Sequence, residues 1–182
     1  MRIRLAALGP LRAAKSQAIT AAVVAHPAVA GRRCIALFSP LPSEPDIEAL
    51  WKTAPGPFCY PRLARGELEF VAVTRPADLT TSPWHPQIRE PVDPGARVVP
   101  PAEIEVILVP GLAFTREGQR LGRGGGNYDR YLALLPASTL KMGVCFALQI
   151  VETLPAEPHD QPVDAVATED GILRQKGAGE DL

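Results

Sequence analysis

The sequence predicts an α/β domain in which helices cover a parallel or mixed sheet, and three observations lead to that class. Residues 34–38 (CIALF), 104–110 (IEVILVP) and 142–147 are short, nearly all-apolar runs of the length expected for strands buried on both faces. Segments with helical spacing or helix-start chemistry lie between them, the alternation that characterises strands crossed over by helices. The chain has 182 residues, which favours one domain over two large ones. It also carries 20 prolines, about 11 % against a usual value of about 5 %, together with 15 glycines, so helices should be short and irregular stretches long.

In chain order, Leu11, Ala14, Ala18, Ile19, Ala22 and Val23 repeat at helical spacing, predicting an amphipathic helix over residues 11–26. Arg2 and Arg4 before this stretch, and Ala28-Val29-Ala30 after it, imitate a signal peptide with its cleavage site. The apolar run 18–25 is shorter than the roughly 20 residues that cross a bilayer, and its periodicity favours a domain helix. Pro27 and Gly31 punctuate the chain before strand 34–38. A second helix is expected from near Ser43, with Glu44, Asp46 and Glu48 in its first turn and Leu50 and Trp51 on its apolar face, stopped by Pro55-Gly56-Pro57. Residues 58–63 and 68–73 read as strands of a hairpin around Ala64-Arg65-Gly66. From Pro76 to Pro101 seven prolines fall in 26 residues without periodicity, which predicts a long loop of the lid or binding type. Strand 104–110, a helix over 127–135, strand 142–147 and a last edge strand over 163–168 follow, with a solvated tail over 171–182. The domain is thus expected to span residues 1–170.

Composition narrows the function. The balance of 19 Lys+Arg against 20 Asp+Glu gives a formal net charge of −1, without the basic excess that holds a nucleic-acid backbone. Near-average apolar and charged content, 46 % and 21 %, argues against disorder along the whole chain. Cys34, Cys59 and Cys145 are few, odd in number and never spaced C-x-x-C, so they read as buried thiols of a reducing compartment. A cytoplasmic protein with no nucleic-acid or membrane partner is expected.

The most informative stretch joins the end of strand 104–110 to the helix at 127, where α/β proteins place binding crevices. There Gly122, Gly124, Gly125 and Gly126 remove the Cβ atoms that would hold a ligand off the backbone, and amides leading into a helix turn positive ends toward an anion. Arg120 and Arg123 add formal charge, which makes a phosphate cradle. Asp129 is positioned to hold Mg²⁺ beside phosphates, since Mg²⁺ takes one or two carboxylates plus phosphate oxygens. The stretch has no G-x-x-x-x-G-K-[ST], and G-x-G-x-x-G fails because Asn occupies position 127. A glycine-rich hinge with solvated arginines and a helix-capping Asp129 is the other reading of the same residues.

The run Pro110-Gly111 through Gly118, Arg120-Leu-Gly-Arg-Gly-Gly-Gly126 and Tyr128-Asp129-Arg130 resembles the signature of the 5-formyltetrahydrofolate cyclo-ligase family. Residues 34–38 followed by Glu44, Tyr60-Pro61-Arg62, Ile88-x-Glu90-Pro91, Leu154-Pro155, His159-Asp160 and Val163-Asp164 extend the resemblance over about residues 11–170. It implies a three-layer α/β/α sandwich around a Rossmann-like, mostly parallel sheet, closing ATP, Mg²⁺ and a reduced folate into one cleft. The implied reaction is the cyclisation of 5-formyltetrahydrofolate to 5,10-methenyltetrahydrofolate, with ATP phosphorylating the formyl oxygen. The resemblance carries ATP binding to Arg120, Leu121, Gly122, Arg123, Gly124, Gly125, Gly126, Asn127 and Tyr128. It carries folate binding to Phe38, Glu44 and the loop residues Arg123 to Asn127, metal binding to Asp129 and Asp160, and catalysis to Arg123 and Asp129. Glu44 is otherwise a first-turn helix charge. His159 reads as structural, Arg62 as a phosphate contact or a sheet-edge residue, and Glu90 as a pterin contact or a turn terminator.

Two departures from the family pattern stand out. A basic K-x-x-x-R helix whose cations meet the ATP phosphates is expected by spacing to lie before Met1, and Arg2, Arg4, Arg12 and Lys15 do not reproduce it. Asn127 stands where an aromatic residue precedes the Tyr-Asp pair, removing a ring contact worth about 0.5–1.5 kcal/mol. These departures keep open a non-catalytic or altered-specificity nucleotide- or folate-binding homologue. Sequence leaves the assembly between a monomer and a small homo-oligomer.

Overall fold

The apolar spacing near the start of the chain produces helix α1 (Leu11–Ala25), which buries Ser16, Ile19, Thr20 and Val23. The structure, a computed structural model, describes residues 8–54, 56–93 and 95–174; Arg2 and Arg4 lie outside them. After α1 come β1 (Ile35–Ala36), a one-turn helix α2 (Leu50–Thr53), and the hairpin strands β2 (Phe58–Ala64) and β3 (Glu67–Val73). Next are β4 (Leu79–Thr81), β5 (Arg89–Pro91), β6 (Val98–Val99), β7 (Val106–Pro110), β8 (Ala113–Thr115) and β9 (Arg120–Leu121). Helix α3 (Asn127–Leu132), β10 (Leu140–Val144), β11 (Ile150–Val151), β12 (Ala165–Thr168) and β13 (Gly171–Arg174) complete the described elements.

One eight-stranded sheet organises them, in the order β13-β12-β10-β7-β1-β2-β3-β6. Its five central strands, β12 through β2, run parallel, while β13, β3 and β6 pair antiparallel at the flanks. Alternation along each strand sends side chains to opposite faces. Ile35, Leu37, Phe58, Tyr60, Val106, Leu108 and Met142 pack on one face with Ile19 and Val23 of α1 and Leu50 of α2. Ala36, Cys59, Phe70, Ile107, Val109 and Val166 pack on the other with Tyr131 and Leu132 of α3. Each Ile, Leu or Val buried this way contributes about 1.5–3 kcal/mol, and helices on both faces give the expected α/β/α sandwich. None of the described helices is long and apolar enough to cross a membrane.

Several elements depart from expectation, and proline or glycine explains most of the differences. The helix expected from Ser43 is a turn, because Pro45 disfavours helical backbone at Glu44; the helix begins only at Leu50. The helix expected over 127–135 ends at Leu132, with residues 133–135 turning ahead of Pro136. The ladder of strand 34–38 is confined to Ile35 and Ala36 and prolonged by the Leu37 amide donating to the Cys59 carbonyl at 2.9 Å. Strand 142–147 runs instead over Leu140–Val144, ahead of a tight turn at Ala147–Gln149. The strand expected over 163–168 begins at Ala165 and is interior: Gly171, at φ +122, lets the chain fold back as β13, so residues 171–174 are the sheet's edge rather than a tail. The rest of the expected tail, 175–182, lies outside the described residues. The Pro76–Pro101 segment is partly ordered: β4 and β5 pair antiparallel and β6 joins the main sheet.

Candidate functional site

From the carboxyl end of β7 the chain makes the small β8–β9 ribbon and enters the glycine segment that starts α3. Gly124 (φ +89) and Gly126 (φ +63) adopt left-handed backbone that side chains rarely tolerate. Among the described residues, no group accepts a hydrogen bond from the main-chain amides of residues 122–126. Five consecutive amides therefore stand unpaired at the mouth of the site, as an anion-binding segment requires.

Arg120 and Arg123 behave differently. The Arg120 side chain is 4 % exposed, and its Nη2 donates to Asp129 Oδ1 at 2.7 Å. Its Nη1 donates to the Pro110 carbonyl at 3.4 Å, and its guanidinium lies 5.8 Å from the Tyr128 ring centre. Arg120 Nε is sealed without a partner among the described residues. Arg123 is 41 % exposed, and its Nη2 reaches Glu44 Oε1 at 2.9 Å and Ser43 Oγ at 3.2 Å. Glu44 is buried, and its Oε2 accepts the Leu41 amide at 2.8 Å. Its carbonyl accepts Arg12 Nη2 at 2.6 Å, and the Arg12 guanidinium stands over the Phe146 ring. Burial, with the nearby Glu44 carboxylate adding to it, pushes the Tyr128 phenol well above its usual range, so the hydroxyl stays neutral.

These groups line one cleft of about 740 Å³. Phe38, Glu44, Arg120, Leu121, Gly122, Arg123, Gly124, Gly125, Gly126, Asn127, Tyr128, Asp129 and Asp160 all border it, so the fold gathers every residue the sequence singled out for ATP, folate or metal. Asn127 Oδ1 accepts Arg130 Nη2 at 2.5 Å, an i,i+3 contact in place of a ring. Asp129 Oδ1 also accepts the Gln161 amide at 3.3 Å, and Asp160 Oδ2 accepts the Glu157 amide at 2.7 Å. Among the described residues no cluster of three or more His, Cys, Asp or Glu forms a metal cage. Asp129 and Asp160 offer the one or two carboxylates that Mg²⁺ takes alongside phosphate oxygens and water.

Other expectations resolve as follows. Arg62 borders the cleft but is held by Glu69 at 2.6 Å and donates to the Asp93 carbonyl at 3.0 Å. His159 is exposed, with Nε2 3.5 Å from Glu157. Lys15 pairs with Glu169 at 2.5 Å, away from the cleft lining, and Arg12 supports Glu44 from behind. Cys59 and Cys145 are buried and Cys34 is half-buried. Sequence reasoning missed Trp84, which is 69 % exposed and lines the cleft; an isolated Trp in a proline-rich segment was the available signal. It also missed the Arg120–Asp129 pair, since the two lie nine positions apart across the glycine segment.

The chain resembles known proteins over most of its length. A sequence profile of the 5-formyltetrahydrofolate cyclo-ligase family matches residues 1–169. The chain is similar to 5-formyltetrahydrofolate cyclo-ligase of Escherichia coli (strain K12), 32 % identical over 154 residues covering 80 % of this chain and 83 % of that one. It is also similar to the Mus musculus protein of the same name, at 29 % identity, covering 87 % of this chain and 84 % of the other. Among solved structures, Aquifex aeolicus 5,10-methenyltetrahydrofolate synthetase superposes with a TM-score of 0.79 at 31 % identity, covering 94 % and 86 % of the two chains. The Mycoplasma pneumoniae 5,10-methenyltetrahydrofolate synthetase, at 23 % identity and a TM-score of 0.72 over 92 % and 93 % of the chains, shares the fold.

Proposed function

The chain belongs to the 5-formyltetrahydrofolate cyclo-ligase family, and from that membership we propose that it converts 5-formyltetrahydrofolate to 5,10-methenyltetrahydrofolate with ATP, releasing ADP and phosphate. The observation that carries the ATP part of this reading is the row of unpaired amides at residues 122–126, which share a cleft with Arg123, Asp129 and Asp160.

The chemistry sets what the cleft must do. An amide-like formyl oxygen is a poor leaving group, so it attacks the γ-phosphorus of ATP, forming an O–P bond as the β,γ-bridge breaks and ADP leaves. N10 then attacks the activated formyl carbon and loses its proton. The C–O bond breaks with departure of inorganic phosphate, leaving one carbon joined to N5 and N10. Phosphoryl transfer is catalysed mainly by positioning and charge neutralisation. The amides of residues 122–126 cradle the phosphates, and Leu121, Asn127 and Tyr128 flank the nucleotide. Arg123 carries formal charge to the transferring group once it exchanges Glu44 for phosphate. Arg120 acts from beneath the loop, holding the Asp129 carboxylate in orientation. Phe38 and Glu44 border the folate, with Gly124, Gly125, Gly126 and Asn127 serving both ligands.

Asp129 and Asp160 are the residues that would hold Mg²⁺, which when bound neutralises charge on the phosphate oxygens. The three thiols fit a reducing compartment, and we assign the enzyme to the cytoplasm as a monomer or small homo-oligomer acting on free small molecules.

The test is direct. Protein incubated with ATP, Mg²⁺ and 5-formyltetrahydrofolate should produce the near-ultraviolet absorbance of the methenyl product, with one ADP per turnover. Nucleotide binding without that absorbance would instead establish a non-catalytic homologue.

A further inference from the structure

The cleft contains two buried glutamates in different states. Glu44 is 5 % exposed and both of its carboxylate oxygens are engaged, by the Leu41 amide and by Arg123. Glu90 is 7 % exposed and lines the same cleft, yet its carboxylate takes part in no hydrogen bond or ion pair among the described residues. The sealed, unpartnered side-chain atoms among those residues are Arg120 Nε and Tyr131 Oη, so the Glu90 oxygens are not sealed and open toward the cleft.

The position of Glu90 is set by its strand. It lies on β5 opposite Thr80 of β4, and the neighbouring Arg89 amide donates to Ser39 Oγ at 2.9 Å, tying β5 to the segment that carries Phe38. The Arg89 side chain bonds Glu48 at 3.0 Å and the Pro76 carbonyl at 2.6 Å. Strand alternation turns Glu90 to the opposite side from it. With no donor among the described residues and only the cleft to face, this carboxylate meets water until a ligand displaces it. Such a ligand must supply donors or leave a buried carboxylate unpaired at a cost.

The donors must be neutral or cationic N–H groups, because a carboxylate repels both a triphosphate and a glutamate tail. Of the two ligands proposed above, the reduced folate carries the matching group. Its 2-amino-4-oxopyrimidine edge presents N3–H and the 2-amino group side by side, as a guanidinium does, and a carboxylate accepts such a pair bidentately. Phe38, Leu41 and Ile88 supply apolar lining in the same cleft, as a largely apolar ring requires. We propose that Glu90 is the specificity-determining residue of the folate site, accepting N3–H and the 2-amino group of the pterin ring. The assignment rests on the folate reading of the cleft. Glu44 keeps the Leu41 amide and, until ATP draws Arg123 away, its ion pair, and it is left for a different part of the ligand.

Calorimetric titration of the full chain with 5-formyltetrahydrofolate, ATP omitted, tests it. Glu90→Gln should weaken binding roughly 10- to 100-fold while the affinity for ATP, measured on the same preparation, stays within about twofold and so reports an intact fold. A 2-desamino analogue of the substrate needs no mutation: the wild-type protein should bind it more weakly than the parent by at least about tenfold, and Glu90→Gln should hardly distinguish the two. Equal affinity of Glu90→Gln and wild type for the parent, or failure of the wild type to discriminate against the analogue, overturns the assignment alone. A wild-type protein that binds no 5-formyltetrahydrofolate overturns the folate reading itself.

Discussion

On the glycine side of the cleft, five unpaired amides and Arg123 present positive ends to the solvent, whereas the segments around Phe38 and β5 present apolar side chains and the two buried glutamates. The first wall suits the phosphates of a nucleotide and the second a flat, donor-rich ring. Separating them keeps the carboxylates from opposing the polyanion, and Arg123 crosses between them to Glu44 at 2.9 Å and Ser43 at 3.2 Å. On the proposed reading, one cleft thereby serves two ligands of opposite demand.

The largest expected effect separates the two arginines of the glycine wall. Arg120→Ala leaves the largely buried Asp129 with only the Gln161 amide, and breaking a pair whose arginine is this buried costs about 3–5 kcal/mol. The denaturant midpoint should fall steeply and turnover should vanish with it. Arg123→Ala removes a guanidinium that is 41 % exposed while Glu44 keeps the Leu41 amide, so stability should fall by a smaller amount, about 1–2 kcal/mol. Its kcat/KM for ATP should nonetheless drop by at least about tenfold. Equal losses of stability in the two variants would erase the distinction between a brace and an accessible cation. Asp129→Ala belongs with Arg120→Ala, because Asp129 is as much a structural partner as a candidate metal ligand.

A middle-sized effect tests the wall's backbone. Gly124 has φ +89, and a Cβ there would meet nothing within 4 Å, so Gly124→Ala is strained by backbone alone. A cost of about 1–2 kcal/mol is expected, and because Gly124 serves both ligands, separate titrations should show ATP binding weakened more than folate binding. Equal weakening of the two ligands would mean that the walls are not independent.

The smallest effect concerns the scaffold behind the cleft. Burial, then the Arg174 guanidinium with Nη2 3.2 Å from Nε2, holds the His26 imidazole below its usual 6.5. A folded-state value below the unfolded one means that stability is fully present above pH 6.5 and is lost as the pH falls toward the folded value. His26→Gln should flatten that part of the stability profile, followed by thermal unfolding between pH 7.5 and 5 (about that range, by the reference value of a histidine). It should leave the affinity for both ligands unaltered.

Much of the central sheet was legible because residues 34–38, 104–110 and 142–147 are apolar on both strand faces, a pattern set by burial alone. The glycine segment was legible for a related reason, since repeated removal of Cβ atoms has few structural uses. Elements governed by single residues were harder to read. Pro45 cancelled a helix whose charges and apolar face were otherwise in order, and Gly171 returned the chain for an edge strand where polar residues suggested a tail. The prolines of residues 76–101 masked β4 and β5, because they sit at positions a two-stranded ladder tolerates, Pro91 included. Site residues named by motif reached the cleft. Roles that depend on a distant partner, such as Arg120 on Asp129 or Arg12 on Glu44, leave no local signature.

Both walls are required only if they bring the γ-phosphoryl group of ATP to the formyl oxygen, and an isotope label reports on that transfer. With 5-formyltetrahydrofolate carrying ¹⁸O in the formyl group, a single turnover in the presence of ATP and Mg²⁺ should place the label in inorganic phosphate, one ¹⁸O per methenyl product formed. Unlabelled phosphate released alongside the methenyl product would contradict the account.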